Sequence, residues 1–323
     1  MSRVFDALRR SEIEAGRGAS DAQGQGGQAA VDLLESFAKR RTEGALPGDD
    51  ADSKNRTAPD YENAAVVRFT SRPECRLVSL ESLRSSGAEQ FRLLSTKLFN
   101  LQRQSDLKKL LITSCMVGDG KSTTAANLAA TIGRHGKRKV LLLEGDLHRP
   151  VLASLLGLDG AKGLSDCLEK EEPVSKFMYR SEGSGMWLLA GGTPSDNPLQ
   201  LLQSDRLFDV MKQFEAFFDW VVIDAPPLLS LADTHWWARI ADGVLLVVRE
   251  GFTNKRLLGK ALESLDSTKL LGIVLNESLR PEHNYYQQYY GGKIRLHPPE
   301  NQAQMRLFES QPHSSRPHLE TLI

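Results

Sequence analysis

The run Thr113-Ser114-Cys115-Met116-Val117-Gly118-Asp119-Gly120-Lys121-Ser122-Thr123 constrains this chain more than any other, because it sets a glycine-containing loop between a strand and a helix. Lys109–Thr113 reads as a short buried strand, and residues 122–133 read as an Ala- and Leu-rich helix that stops at Gly133. Such a loop cradles phosphates: Gly118, Asp119, Gly120 and Thr123 bring backbone N–H groups around them, and the helix dipole favours the negative charge. Lys121 then reaches the β- and γ-phosphates, and the Ser122 hydroxyl is placed to ligate magnesium. Cys115 stands where the simplest form of the pattern has glycine. A nucleoside triphosphate with Mg2+ is the expected ligand.

Two further strands end in acids. Phe218–Pro227 is a strand closing on Asp224, about 100 residues after the loop, and a rigid strand-end carboxylate suits a hard cation bound to phosphate. Lys139–Pro150 is another, with Glu144 and Asp146 two residues apart and therefore on one side of an extended chain. One of that pair is expected to help hold the metal and the other to accept a proton, making Lys121, Glu144 and Asp146 the catalytic candidates and Ser122, Asp146 and Asp224 the metal candidates. Candidate strands at 109–113, 139–144, 186–190, 219–224, 243–248 and 271–275 alternate with helices. That order predicts an α/β fold: a doubly wound parallel sheet with its site at the C-terminal strand ends. A helix over Ala88–Gln102 carries one apolar stripe, Phe91, Leu94, Leu98 and Leu101.

Composition bounds the rest. Residues 1–75 contain polar, Gly-bearing runs at 16–20, 23–28 and 47–55 and are expected to be mostly disordered, interrupted by two short amphipathic pieces. The nucleotide-binding domain is expected over 76–283 and a flexible tail over 284–323. Lys plus Arg and Asp plus Glu number 41 each, so no basic excess points to nucleic acid. Three scattered cysteines and seven histidines without ligand spacing point to a reducing cytoplasm and no metal beyond Mg2+. No signal peptide or membrane-length apolar run is visible.

The tail holds Tyr285, Tyr286, Tyr289 and Tyr290, four of the chain's six tyrosines, between polar flanks and Gly291-Gly292. This clustering reads as a mobile phosphate-acceptor segment. The three acid and phosphate motifs, with Gly191–Leu202 and Gly272–Asn276, resemble the bacterial tyrosine kinases of exopolysaccharide and capsule synthesis over about residues 79–290. Septum-placement and partition ATPases share the fold but carry a lysine where this chain has Met116. The resemblance implies ATP as the nucleotide and autophosphorylation of the tyrosine cluster by a neighbouring copy in a homo-oligomer. It also implies a polysaccharide co-polymerase-type membrane protein as activator, a location at the inner face of the membrane through that partner, and Asn276 near the adenine. The alternative is a P-loop ATPase switch or a regulatory subunit without kinase activity. The chain departs from the family's Asp-x-Asp-x-Arg at Glu144 and His148, and from its Glu-x-x-Arg-x-x-Arg helix at Ser95.

Overall fold

The computed structural model describes residues 61–70, 75–81, 85–134, 138–170 and 172–277. The tyrosine cluster and most of the N-terminal arm lie outside these residues. Eight strands form one sheet in the order β1-β4-β5-β3-β6-β2-β7-β8: β1 Ala65–Val67, β2 Lys109–Ser114, β3 Val140–Glu144, β4 Met178–Ser181, β5 Met186–Leu189, β6 Trp220–Asp224, β7 Gly243–Arg249 and β8 Leu270–Asn276. The helices are α1 Val78–Glu81, α2 Ser86–Gln104, α3 Lys121–Arg134, α4 Leu152–Leu155, α5 Leu164–Lys170, α6 Pro198–Leu202, α7 Asp205–Phe217, α8 Ala232–Ile240 and α9 Lys255–Ser264.

The central strands read as unbroken apolar runs because both of their faces are covered. Successive residues face opposite sides: Leu111, Leu141, Leu143, Val221, Ile223 and Leu246 join one core, while Leu110, Ile112, Val140, Leu142, Val222 and Leu245 join the other. The helix α2 lays Phe91, Leu94 and Leu98 on the second core, as its stripe predicts, and Ser85 caps it by accepting from Ala88 N at 3.1 Å. Its polar face carries the ion pair of Glu89 with Arg92, whereas Ser95 is fully buried and its hydroxyl bonds the Arg92 carbonyl.

The sheet is mostly parallel, with β4 antiparallel to β5 and β1 beside β4 in parallel. Described residues ahead of 76 also pack on the domain. Tyr61 is fully buried, stacked on Phe218 at 5.8 Å and edge-on to Phe217 at 5.0 Å, and its carbonyl accepts from Trp187 Nε1 at 3.0 Å. Glu62 adds ion pairs to Lys139 at 2.8 Å and Arg180 at 3.0 Å. Aromatic burial and paired charge therefore hold residues 61–67 against the domain, even though the surrounding composition is polar.

Candidate functional site

The loop leaves β2 at the centre of the sheet, between β6 and β7, and α3 begins at Lys121. Gly118 and Gly120 take φ of +91° and +94°, the region glycine enters without steric cost. Cys115 has no such φ and its side chain is buried, which is why a non-glycine residue is accommodated at that position. Its thiol is pushed up to about 12 by burial and by Asp119, so it is an inert packing group at neutral pH.

The loop is braced by a residue expected to touch the nucleotide. The Asp119 carboxylate is fully buried and accepts from Met116 N at 2.9 Å and from the Thr253 hydroxyl at 2.7 Å. Thr253 Oγ1 in turn accepts from Arg249 N at 3.0 Å. The Asp119 side chain thus holds the loop's shape, and its carbonyl accepts from Asn276 Nδ2 at 3.0 Å. Asn276 packs so closely on Gly120 that a Cβ there would lie 2.0 Å from Nδ2. Replacing Thr253 with Val removes a donor to a buried carboxylate, and an expected stability loss of about 1–3 kcal/mol is measurable by denaturant titration.

The acids stand on the other side of β2. Asp224 ends β6, with Ile112 of β2 and Glu144 of β3 abreast of it. The Lys121 ammonium lies 3.3 Å from Asp224 Oδ1, 3.5 Å from Asp146 Oδ2 and 3.0 Å from Ser122 Oγ. Burial works to lower the Lys121 pKa, but Asp224 and Asp146 outweigh it and hold the side chain charged. Burial raises the pKa of Asp224 against the pull of Lys121 and the Ser122 hydroxyl. Its second oxygen, Oδ2, is buried with no hydrogen-bond partner.

That oxygen tests the fit to magnesium. A buried carboxylate oxygen without a donor needs a cation to offset its desolvation, and Ser122 and Asp146 supply further oxygens around the same ammonium. Ser122, Asp224 and Asp146 therefore fit the hard, oxygen-seeking ion that accompanies a triphosphate.

Glu144 and Asp146 are held by different partners. The strand ends at Glu144, and the next residue is pinned: Gly145 N donates to the Asp224 carbonyl at 2.8 Å and Trp237 Nε1 to the Gly145 carbonyl at 3.0 Å. Glu144 is fully buried; its Oε1 accepts from Leu152 N at 2.7 Å and from Val151 N, and its Oε2 accepts from Gly191 N at 2.7 Å. Burial raises its pKa to about 7 despite these bonds. With both oxygens bonded to backbone amides, Glu144 ties α4 and the Gly191 turn to β3. Asp146, anchored through Oδ1 by Arg149 N at 3.0 Å, keeps Oδ2 toward Lys121. His148 places Nε2 3.0 Å from Asp233 Oδ2, at the start of α8.

Thr253, Arg249 and the Gly191 amide were missed by sequence reading. The Gly191 amide meets Glu144 from 47 residues away and Thr253 meets Asp119 from 134 residues away, so no local pattern announces those contacts, and Arg249 joins them through Thr253.

Comparison with known proteins accounts for this arrangement. No family model matches the chain. The tyrosine-protein kinase YwqD of Bacillus subtilis is 34% identical over 225 residues, covering 69% of this chain and 94% of that protein. The succinoglycan biosynthesis transport protein ExoP of Rhizobium meliloti is 29% identical over 225 residues, 68% of this chain and 28% of that protein. The crystal structure of the chimerical protein CapA2B2 superposes with a TM-score of 0.60 at 26% identity, over 69% of this chain and all of that one. An alignment with YwqD along nearly its whole length leaves the loop, the facing acids and the sheet that carries them with one explanation: this chain belongs to the family of bacterial tyrosine-protein kinases.

Proposed function

We propose that the chain transfers the γ-phosphoryl group of Mg-ATP to Tyr285, Tyr286, Tyr289 and Tyr290 of a neighbouring copy, and that this controls polymerisation or export of an exopolysaccharide or capsule. The observation that carries the reading is the Lys121 ammonium set between Asp224 and Asp146, beside a buried Asp224 oxygen that lacks a donor. Loop amides and Lys121 bind and neutralise the phosphates, which is most of what phosphoryl transfer asks of a protein. Ser122 and Asp224 would hold the magnesium, which would supply positive charge against that on the transferred group. The tyrosine oxygen forms its bond to phosphorus as the bond to the ADP oxygen breaks. Asp146 accepts the phenolic proton, since Glu144 is committed to backbone.

No helix among the described residues is long and apolar enough to cross a membrane. We assign the activating membrane contact to a separate co-polymerase-type protein, with this chain held beneath the membrane as a homo-oligomer. Ser95, turned into the core, does not extend the Glu89 and Arg92 pair across the helix surface.

The reading is tested by tandem mass spectrometry of the 281–293 peptide after incubation with Mg-ATP, with and without a candidate activator's cytoplasmic segment. Phosphate on the four tyrosines that vanishes when EDTA removes magnesium is the expected result. Phosphate release with an unmodified tail points instead to the ATPase switch.

A further inference from the structure

The acids facing Lys121 lie at β6 and β3, on one side of the loop strand β2. A nucleotide whose terminal phosphate points toward them must run its nucleoside the other way, over the ends of β7 and β8. Two half-buried arginines converge there on a single carboxylate. Glu277 Oε1 lies 2.7 Å from Arg76 Nη1, and Oε2 lies 2.5 Å from Arg249 Nη2.

Both ends of the first bridge are strained. Arg76 has φ +51° and Glu277 φ +55°, and among the described residues they are the non-glycine positions in the left-handed region. Each such residue costs on the order of 1–3 kcal/mol and persists where its surroundings over-determine it, commonly at ligand clamps. The Arg76 carbonyl is also fixed, accepting from Asn127 Nδ2 of α3 at 3.1 Å.

The turn at Glu277 acts directly on its neighbour. It brings Glu277 N onto Oδ1 of Asn276 at 3.0 Å, while Nδ2 of the same amide donates to the Asp119 carbonyl at 3.0 Å. The carbonyl partner fixes which end of the amide is nitrogen. An asparagine amide offers two N–H donors and two lone pairs, and the fold uses one of each. One donor and one acceptor remain side by side. That pair matches the N6–H and N7 of adenine, whereas guanine presents two acceptors, O6 and N7, along the same edge.

We propose that the Arg76–Glu277–Arg249 clasp is the specificity-determining element of the nucleotide site, positioning the Asn276 amide to select adenine over guanine. The inference rests on the proposed reading of the loop as an ATP site. Glu277 and the arginines act through Asn276 and are positioning residues.

The test is calorimetric titration of the full chain with Mg-ADP and with Mg-GDP, for the unsubstituted protein, Glu277→Gln and Arg76→Gln. The unsubstituted protein is expected to favour ADP, and each substitution to lower the ADP-to-GDP affinity ratio about tenfold, within the range of one lost base-discriminating pair. GDP affinity stays the same to within about twofold, because the phosphate contacts are untouched. Should Glu277→Gln fail to fold, Arg76→Gln, at a half-exposed side chain, carries the same comparison. Equal weakening of both nucleotides would overturn the proposal and leave the clasp as a brace for the loop. Tight but equal binding of ADP and GDP by the unsubstituted protein would also overturn it while sparing the phosphate site. Binding of neither nucleotide would overturn the ATP reading itself.

Discussion

Lys121→Met is expected to lower phosphorylation of the tail tyrosines by about 10²–10³-fold or more, the scale for removing one donor aimed at developing charge. The physical effect extends beyond the lost contact to phosphate. In the folded chain the ammonium is the cation between Asp224 and Asp146, and methionine would leave those two carboxylates facing one another without it. Two like charges in a buried site resist joint ionisation. The variant should therefore be less stable in EDTA, and magnesium alone should raise its melting temperature more than it raises that of the unsubstituted protein, where Lys121 competes for the same oxygens. Thermal melts with and without magnesium measure this, and phosphotyrosine quantified by mass spectrometry measures the activity. Phosphotyrosine at the unsubstituted level would remove Lys121 from the reacting groups.

The second large effect is expected at Glu144. Glu144→Gln keeps the size of the side chain but turns one acceptor into an NH2 group, which must then face either the Gly191 amide or the amides of Val151 and Leu152. Opposed donors in a fully buried place lose a charge-assisted bond and strand an N–H group, about 2–4 kcal/mol together. For a domain of this size that corresponds to a melting temperature lower by about 4–16 °C. Activity measured well below the new midpoint should fall far less than in Lys121→Met, because Glu144 holds the framework while Asp146 faces the ammonium. A loss equal to that of Lys121→Met without loss of stability would return Glu144 to the reacting groups.

The contrast between Glu144 and Asp146 also marks how far the sequence can be read. Every strand of the parallel part was legible, because residues such as Leu110–Ile112 and Val244–Val248 are buried on both faces and so are apolar without interruption. The strands β1 and β4 were not: Ala-Val-Val and Met-Tyr-Arg-Ser are short, lie at or near a sheet edge, and owe their place to Tyr61, Glu62 and Trp187, which meet only in the fold. The phosphate loop and Asp224 stood out through their spacing and flanking strands, and Asn276 through the family resemblance. The division of labour between two acids was not, since alternation along a strand holds only while the strand continues, and Trp237 ends it at Gly145. Likewise the motif places the Asp119 backbone in the phosphate loop, while the bracing role of its side chain depends on Thr253, 134 residues later.

The clasped residue Glu277 also lies close in sequence to the tyrosine cluster. Tyr285 follows eight residues later, a span that at full extension covers at most about 29 Å. On the proposed function, that span bounds how far the tyrosines reach from the rim of the nucleotide site, and so which active sites they can enter. Within an assembly, the concentration of tail at a neighbour's loop is set by the distance between anchors and no longer by the amount of protein in solution. Lengthening the segment between Glu277 and Tyr285 with Gly-Ser insertions should then shift which copy's tyrosines are modified before it changes how fast the chemistry runs.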